Sequence, residues 1–162
     1  MDLGDRTYDG FKFPLGLLRL MKEDGRQPDF AGAIASVPLF SGLGKRDLQV
    51  AVKLGHDLSF SAGQTIVKEG ELGIGFYVIL SGKAEVRRKG KVLSQLGKGD
   101  FFGEMAVLDN QPRSADVIAV EPTRCAAFTA WSFEALIHLR AEIPAVIMAE
   151  LAKRSAANAS PK

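Results

Sequence analysis

Short apolar runs separated by glycines occupy the middle of the chain. Nine of the 17 glycines fall between Gly63 and Gly103, and none follows Gly103. Because tight turns favour glycine, this spacing predicts many short strands, as in an antiparallel sandwich or barrel. The predicted strands cover residues 65–67, 76–80, 84–87, 92–96, 115–120 and 124–129.

Apolar residues at helical spacing flank this glycine-rich region on both sides. Residues 47–54 precede it and predict one short helix. After it, one apolar stripe covers 133–137 and a second covers 143–151, which predicts two C-terminal helices. Pro144 suits the first turn of the second helix, where its missing N–H group costs no hydrogen bond. The fold class is therefore mainly β with flanking helices.

The chain has the size and composition of one folded domain. It has 162 residues, of which 46% are hydrophobic and 25% charged, the balance of an ordinary globular protein. We expect the domain to cover residues 31–154. Residues 155–162 are small and polar and predict a flexible tail. Residues 1–30 form an extension of unclear role, whose apolar side chains could pack on the domain or contact a partner.

Charge and hydropathy exclude several kinds of protein. No apolar run approaches the roughly 18 residues of a membrane span, and acids throughout the first 30 residues disfavour a targeting peptide, so we expect a cytoplasmic protein. A net charge of +2 does not by itself predict a nucleic-acid partner. The basic residues of 87–91, around Gly90, predict a solvated hairpin tip. Cys125 lies in an alternating stretch and predicts a buried core residue.

The stretch from Gly99 to Ala115 departs from the strand pattern around it. Gly103 allows the backbone to approach a ligand closely, and residues 104–108 can form one helical turn with free amides at its start, which suits an anion. Arg113 carries a planar fork of donors that matches two phosphate oxygens. From the residues alone, Glu104 and Arg113 could equally form a structural salt bridge.

This stretch resembles the phosphate-binding cassette of the cyclic nucleotide-binding domain family. Residues 37–43 resemble the family's entry into the barrel, residues 62–70 its early strand and turn, and residues 76–82 its central strand. The likeness covers roughly residues 35–154. It implies a double-stranded β-helix, or jelly-roll-like β-roll, with short N-terminal helices and two C-terminal helices.

The resemblance also implies a set of ligand-binding residues. The Glu104 carboxylate and the Gly103 backbone would hold the ribose 2′-hydroxyl, and Arg113 would pair with the cyclic phosphate. Backbone amides near Ala106 and Ala115 and the Ser114 hydroxyl would complete the phosphate cradle. The implied ligand-binding residues are Gly103, Glu104, Met105, Ala106, Arg113, Ser114 and Ala115.

The implied function is that of a sensor without catalytic activity. It would bind cAMP in preference to cGMP, although Ser114 can hydrogen-bond with either and does not decide the base. The helix from Pro144 to Arg154 would fold over the base and transmit binding. The downstream effector, the oligomeric state, including a homodimer, and whether the chain is a whole protein or an excised sensor all stay open.

Three other functions compete with the sensor. A metal-dependent enzyme of barrel shape needs clustered histidines, and the chain has only His56 and His138 on different predicted elements, so we expect neither metal nor catalysis. Only 11 residues follow Leu151, too few for a DNA-reading module, so DNA binding by this chain alone is not expected. An interaction module that keeps the fold without nucleotide is the remaining alternative.

Overall fold

The structure is a computed structural model that describes residues 7–8, 11–12, 27–71, 75–103, 112–139 and 142–159. The described strands are β1 (Thr7–Tyr8), β2 (Phe11–Lys12), β3 (His56–Phe60), β4 (Thr65–Val67), β5 (Gly75–Ser81), β6 (Ala84–Arg88), β7 (Lys91–Leu96), β8 (Phe101–Phe102), β9 (Asp116–Ala119) and β10 (Thr123–Thr129). The described helices are α1 (Phe30–Ala35), α2 (Pro38–Ser41), α3 (Lys45–Leu54), α4 (Ala130–Ile137) and α5 (Glu142–Ala159).

Two four-stranded antiparallel sheets form the body of the domain. One has the strand order β3-β10-β5-β8 and the other the order β4-β9-β6-β7. The short β1–β2 hairpin forms a separate pair near the N-terminus. Two antiparallel sheets with flanking helices confirm the predicted fold class. Helices precede and follow this β-roll along the chain.

The β3-β10-β5-β8 sheet is buried on both faces. Alternate residues of β5, Tyr77 and Ile79, face the inter-sheet core, which they share with Cys125 of β10. The intervening residues Phe76 and Val78 belong to a second apolar cluster, formed with the helices. Strands buried on both faces read as continuous apolar runs, and all six residues of β5 before Ser81 are buried.

The helices cover the outer face of that sheet. Phe76 lies with its ring centre 4.6 Å from that of Phe133 on α4 and 6.1 Å from that of Phe128 on β10. The α5 helix contributes Ile143 and Ile147, each 2% exposed, to the same cluster. The C-terminal helices are therefore anchored on the side of the sheet that faces away from the inter-sheet core.

All six predicted strands are present, but the sequence analysis missed four of the described strands: β1 and β2 of the N-terminal hairpin, and β3 and β8 of the two main sheets. The β3 strand was missed because a charged residue, Asp57, is buried within it and hides the apolar alternation. The β8 strand has only two residues, which is too short for a period to show. The predicted burial of Cys125 is confirmed, since its side chain is fully buried.

The C-terminal helix extends further than the sequence predicted. The α5 helix ends at Ala159, five residues beyond residue 154, so the first part of the predicted tail is helical. Three of these five added residues are alanine, the best helix former. Residues 160–162 lie outside the described residues, as does most of the N-terminal extension apart from β1, β2 and residues 27–30.

Candidate functional site

A buried arginine lies at the edge of the inter-sheet core. Arg113 is 9% exposed, and its Nη2 donates a hydrogen bond of 2.7 Å to the carbonyl oxygen of Gly75. Its guanidinium carbon lies 5.9 Å from the ring centre of Tyr77, and that ring stacks on Phe102 at 5.0 Å. A permanent cation is thus held against an aromatic ring and a backbone carbonyl.

Gly103 lies directly against this arginine. Its φ of 94° is in the left-handed region, which side chains disfavour. A Cβ atom built at Gly103 would lie 2.6 Å from Arg113 Nη1 and 2.5 Å from the carbonyl oxygen of Gly75. The approach of a ligand to the Gly103 backbone stays a prediction, and the groups that lie against Gly103 in the structure are the Arg113 side chain and the Gly75 carbonyl.

The backbone of Arg113 is fixed by the turn after β4. Its N–H donates to the carbonyl oxygen of Glu71 at 2.8 Å, and its own carbonyl accepts from the N–H of Gly70 at 2.8 Å. The Gly70 φ of 85° again requires glycine for an unstrained turn. These two hydrogen bonds hold the peptide groups on either side of the Arg113 α-carbon.

The residues after Arg113 are held by side chains. The carbonyl oxygen of Ser114 accepts a 2.9 Å hydrogen bond from Arg88 Nε. The Asp116 carboxylate accepts a 2.6 Å hydrogen bond from the N–H of Glu69. Ser114 is exposed, whereas Ala115 is 8% exposed and points into the domain. The segment from 113 to 116 is therefore held by hydrogen bonds to the β6–β7 hairpin and to the turn after β4.

The structure brings Gly103, Arg113, Ser114 and Ala115 to one region of the domain. The other implied ligand residues, Glu104, Met105 and Ala106, lie outside the described residues, so the structure gives no geometry for the proposed acid or for the helical turn.

Burial keeps the neighbouring titratable groups neutral. It raises the pKa of Tyr77 to about 12, an effect that the Arg113 charge partly opposes. Burial also raises the pKa of Cys125 well above its ordinary range. Neither side chain ionises near neutral pH, so Tyr77 offers a phenolic O–H group rather than a phenolate that would compete for Arg113.

Sequence reasoning missed Gly75 and Tyr77, which contact Arg113, and Arg88, which binds the adjacent Ser114 carbonyl. Gly75 and Tyr77 begin the central strand, and the period-2 alternation of β5 would have placed both on the inner face. Arg88 belongs to the basic stretch interpreted as a solvated hairpin tip. That stretch is a hairpin tip, since Lys89 and Gly90 adopt φ values of 50° and 80°. The interpretation is incomplete at Arg88, which binds the Ser114 carbonyl.

The two histidines lie apart in the fold. His56 begins β3, and His138 follows α4 as its C-cap. Within the part of the chain that the structure describes, no group of three His, Cys, Asp or Glu residues is placed to hold a metal ion. Over the same residues, no helix combines the length and apolar content needed to cross a membrane.

A cavity lies on the helical side of the domain. Its volume is about 210 Å³, and it lies where α2, the turn between β7 and β8, and α5 meet. Phe101, one of its walls, belongs to the cluster under the helices, whereas the adjacent Phe102 belongs to the inter-sheet core. The cavity and Arg113 are therefore on opposite faces of the same sheet.

Comparisons with known proteins agree on one family. The family model described as the cyclic nucleotide-binding domain matches residues 57–139. A cGMP-dependent protein kinase of Eimeria tenella is 45% identical over 92 residues, which cover 57% of this chain and 9% of the kinase. A cAMP-dependent protein kinase regulatory subunit of Debaryomyces hansenii is 38% identical over 123 residues, covering 74% of this chain and 25% of the subunit.

The architecture is shared with a solved structure of the same group. The catabolite activator protein of Thermus thermophilus has 32% sequence identity and a TM-score of 0.63, over 73% of this chain and 59% of that one. The chain therefore spans a small part of the kinase relatives and somewhat more than half of the activator. From the family match and this shared architecture, the chain belongs to the cyclic nucleotide-binding domain family.

Proposed function

We propose that this chain is a sensor that binds a cyclic nucleotide at Arg113, prefers cAMP to cGMP and catalyses no reaction on it. The single observation that carries the proposal is the buried Arg113 guanidinium, held between Gly75 and the Tyr77 ring. A cyclic phosphate is a monoanion with two exocyclic oxygens, and the planar guanidinium can donate to both. In a buried site this pairing is stronger than at the surface.

The backbone around Arg113 supports the same ligand. Ala115 is 8% exposed and follows the anchored Ser114 carbonyl, so its amide has a fixed orientation. Oriented backbone amides and an arginine together make an anion cradle. By the resemblance, Glu104 would accept a hydrogen bond from the ribose 2′-hydroxyl, and the Met105 and Ala106 backbone would complete the cradle.

The proposal includes a preference for adenine over guanine as the base of the cyclic nucleotide. The relatives include both a cAMP-dependent protein kinase regulatory subunit and a cGMP-dependent protein kinase, so cGMP is the second candidate. The cAMP relative matches the longer stretch, 123 residues against 92, although at lower identity. The Ser114 side chain is exposed in the structure, and we propose that it serves the phosphate rather than a guanine base.

Transmission through α5 is also a proposal. Ile143 and Ile147 anchor the start of the helix on the helical side of the sheet, and Val146 and Met148 stay 42% and 59% exposed. A helix held by few buried residues can change position at a cost of a few kcal/mol, which ligand binding can supply. The exposed side chains of α5 would then contact an effector or a second copy of the chain. We propose a cytoplasmic location for the same sensor.

Titration calorimetry of the purified chain with cAMP, cGMP and adenosine tests the proposed function. We expect micromolar or tighter binding of cAMP, weaker binding of cGMP, and at least about a hundredfold weaker binding of adenosine, because adenosine has no phosphate to pair with Arg113. Equal affinities for cAMP and adenosine would contradict the role of the phosphate. No binding of any of the three would favour the interaction module.

A further inference from the structure

We propose that Arg88, on the hairpin between β6 and β7, is a positioning residue for the phosphate cradle and acts through the Ser114–Ala115 peptide group. This inference rests on the proposed function and adds a residue that lies outside the cassette in sequence. The observation behind it is the 2.9 Å hydrogen bond from Arg88 Nε to the Ser114 carbonyl oxygen, which joins residues 26 positions apart.

The planarity of the peptide bond links Arg88 to the Ala115 amide. The carbonyl of Ser114 and the N–H of Ala115 belong to one planar group, and in the trans form they point in opposite directions. A donor that holds the carbonyl oxygen on one side therefore fixes the direction of the N–H on the other. Because Arg88 approaches the Ser114 carbonyl from the hairpin, the Ala115 N–H is directed away from Arg88.

The two peptide groups after Arg113 are held by different means. The Arg113–Ser114 peptide is held through the Arg113 carbonyl, which accepts from the backbone N–H of Gly70 at 2.8 Å. The Ser114–Ala115 peptide is held through a side chain, Arg88. Only the second anchor can be removed by a side-chain substitution, and its loss would leave the first one in place.

The hairpin itself is tied to the same region. The N–H of Lys89 donates to the Glu69 carboxylate at 3.2 Å, and the N–H of Glu69 donates to the Asp116 carboxylate at 2.6 Å. Arg88 therefore extends from a hairpin tip that is already docked next to the cradle. Its guanidinium can hold the Ser114 carbonyl without ordering the whole hairpin for that purpose.

Lys91 supplies a matched control. It pairs with Arg88 directly across the hairpin in the β6–β7 register, carries the same charge and is exposed. Replacing either residue by alanine removes one positive charge at nearly the same place. A loss of affinity caused only by long-range attraction would therefore be equal in the two variants.

The test measures the affinity of the full chain for cAMP and for the two diastereomers of its phosphorothioate, in which sulfur replaces one or the other exocyclic oxygen. We expect Arg88→Ala to weaken cAMP binding about two- to tenfold, the range of one hydrogen bond, and Lys91→Ala to change it less than twofold. Arg88→Lys should restore part of the loss. Sulfur is a poorer hydrogen-bond acceptor than oxygen, so the diastereomer whose sulfur faces the Ala115 amide gains less from that amide. Arg88→Ala should therefore cost this diastereomer less affinity than the other. The ratio of the affinities for the two diastereomers should change.

Each outcome decides between the hypotheses. Equal losses in Arg88→Ala and Lys91→Ala, or an unchanged diastereomer ratio, would overturn the positioning role while leaving the sensor function intact. Failure of the wild-type chain to bind cAMP or cGMP would overturn the proposed function, and this inference with it. Amide exchange at Ala115 without ligand gives a second readout, and exchange that is unchanged by Arg88→Ala would contradict the fixed peptide group.

Discussion

Arg124 on β10 binds Asp57 on β3 through two parallel hydrogen bonds, from Nε to Oδ1 at 2.8 Å and from Nη2 to Oδ2 at 2.7 Å. The Asp57 side chain is 2% exposed, and its Oδ2 also accepts from the N–H of Gln27 at 2.9 Å. The same guanidinium reaches Asp29, at the start of α1, with two bonds of 3.1 Å. One arginine thus joins the edge strand β3 to the start of α1.

We expect Asp57→Asn to destabilise the fold by about 3 kcal/mol, because it removes one partner of a largely buried ion pair and leaves the Arg124 charge under-compensated. The shape of the side chain is kept, so the loss reflects charge rather than packing. Denaturant unfolding measures it. Glu134→Gln on the exposed side of α4 is the control and should change stability by less than about 0.5 kcal/mol. Equal changes in the free energy of unfolding for both variants would show that the Arg124–Asp57 pair contributes nothing to stability.

Asp29 predicts a pH dependence of stability. The hydrogen bonds from Arg124 hold the pKa of this carboxyl below its ordinary value of 3.8. The lowered pKa means that its contribution is fully present above 3.8 and is lost as pH falls through the folded-state pKa. Asp29→Asn should therefore lower stability at pH 6, and its difference from wild type should shrink in acid below pH 3.8. A difference that stays constant down to the acid limit of folding would refute the assignment.

Gly103 is predicted to tolerate no side chain. Gly103→Ala should lower the free energy of unfolding by about 1–2 kcal/mol, because alanine is strained in the left-handed conformation. Displacing the Arg113 guanidinium should lower it further. Gly63→Ala is a matched control, since Gly63 has a φ of 86° and no atom lies within 4 Å of the position that a Cβ would take there. We expect Gly103→Ala to be the more destabilising of the two and to weaken cAMP binding, whereas Gly63→Ala keeps wild-type affinity. Similar stability and similar cAMP affinity for both variants would mean that the close contact between Gly103 and Arg113 is not required for folding or binding.

The proposed movement of α5 predicts a localised response to ligand. Amide exchange over the described part of α5, residues 142–159, should change on cAMP binding, because the helix changes its contacts with the domain. Exchange in α3, which packs against α1 on the same side, should change much less. No change in α5 at saturating cAMP would contradict transmission through this helix.

Most strands and the C-terminal helices were predictable because short apolar runs, glycine turns and helical spacing are local signals. The continuous apolar run of β5, the alternating stretch of β10 and the glycine turns located both central strands to within a residue or two. Phe133 and Leu136, at helical spacing, likewise marked α4. These signals are local, and the tertiary structure did not override them.

The parts that were missed depend on contacts between residues distant in sequence. Asp57 is buried because Arg124, 67 residues away, neutralises it, and no local pattern shows this. Arg88 looked like a solvated residue because its neighbours are basic, and only the fold brings it to Ser114. The position of Arg113 beside Tyr77 follows from the pairing of strands, which the sequence suggests only through its resemblance to a family.

The central claim is that Arg113 holds the phosphate of a cyclic nucleotide, and the affinity of Arg113→Ala for cAMP tests it most directly. We expect a loss of at least about a hundredfold relative to wild type, the cost of removing one partner of a buried charge pair. Arg113→Lys keeps the charge without the planar fork and should recover only part of the affinity. Thermal unfolding of both variants controls for folding. A folded Arg113→Ala variant that binds cAMP as tightly as wild type would contradict the account.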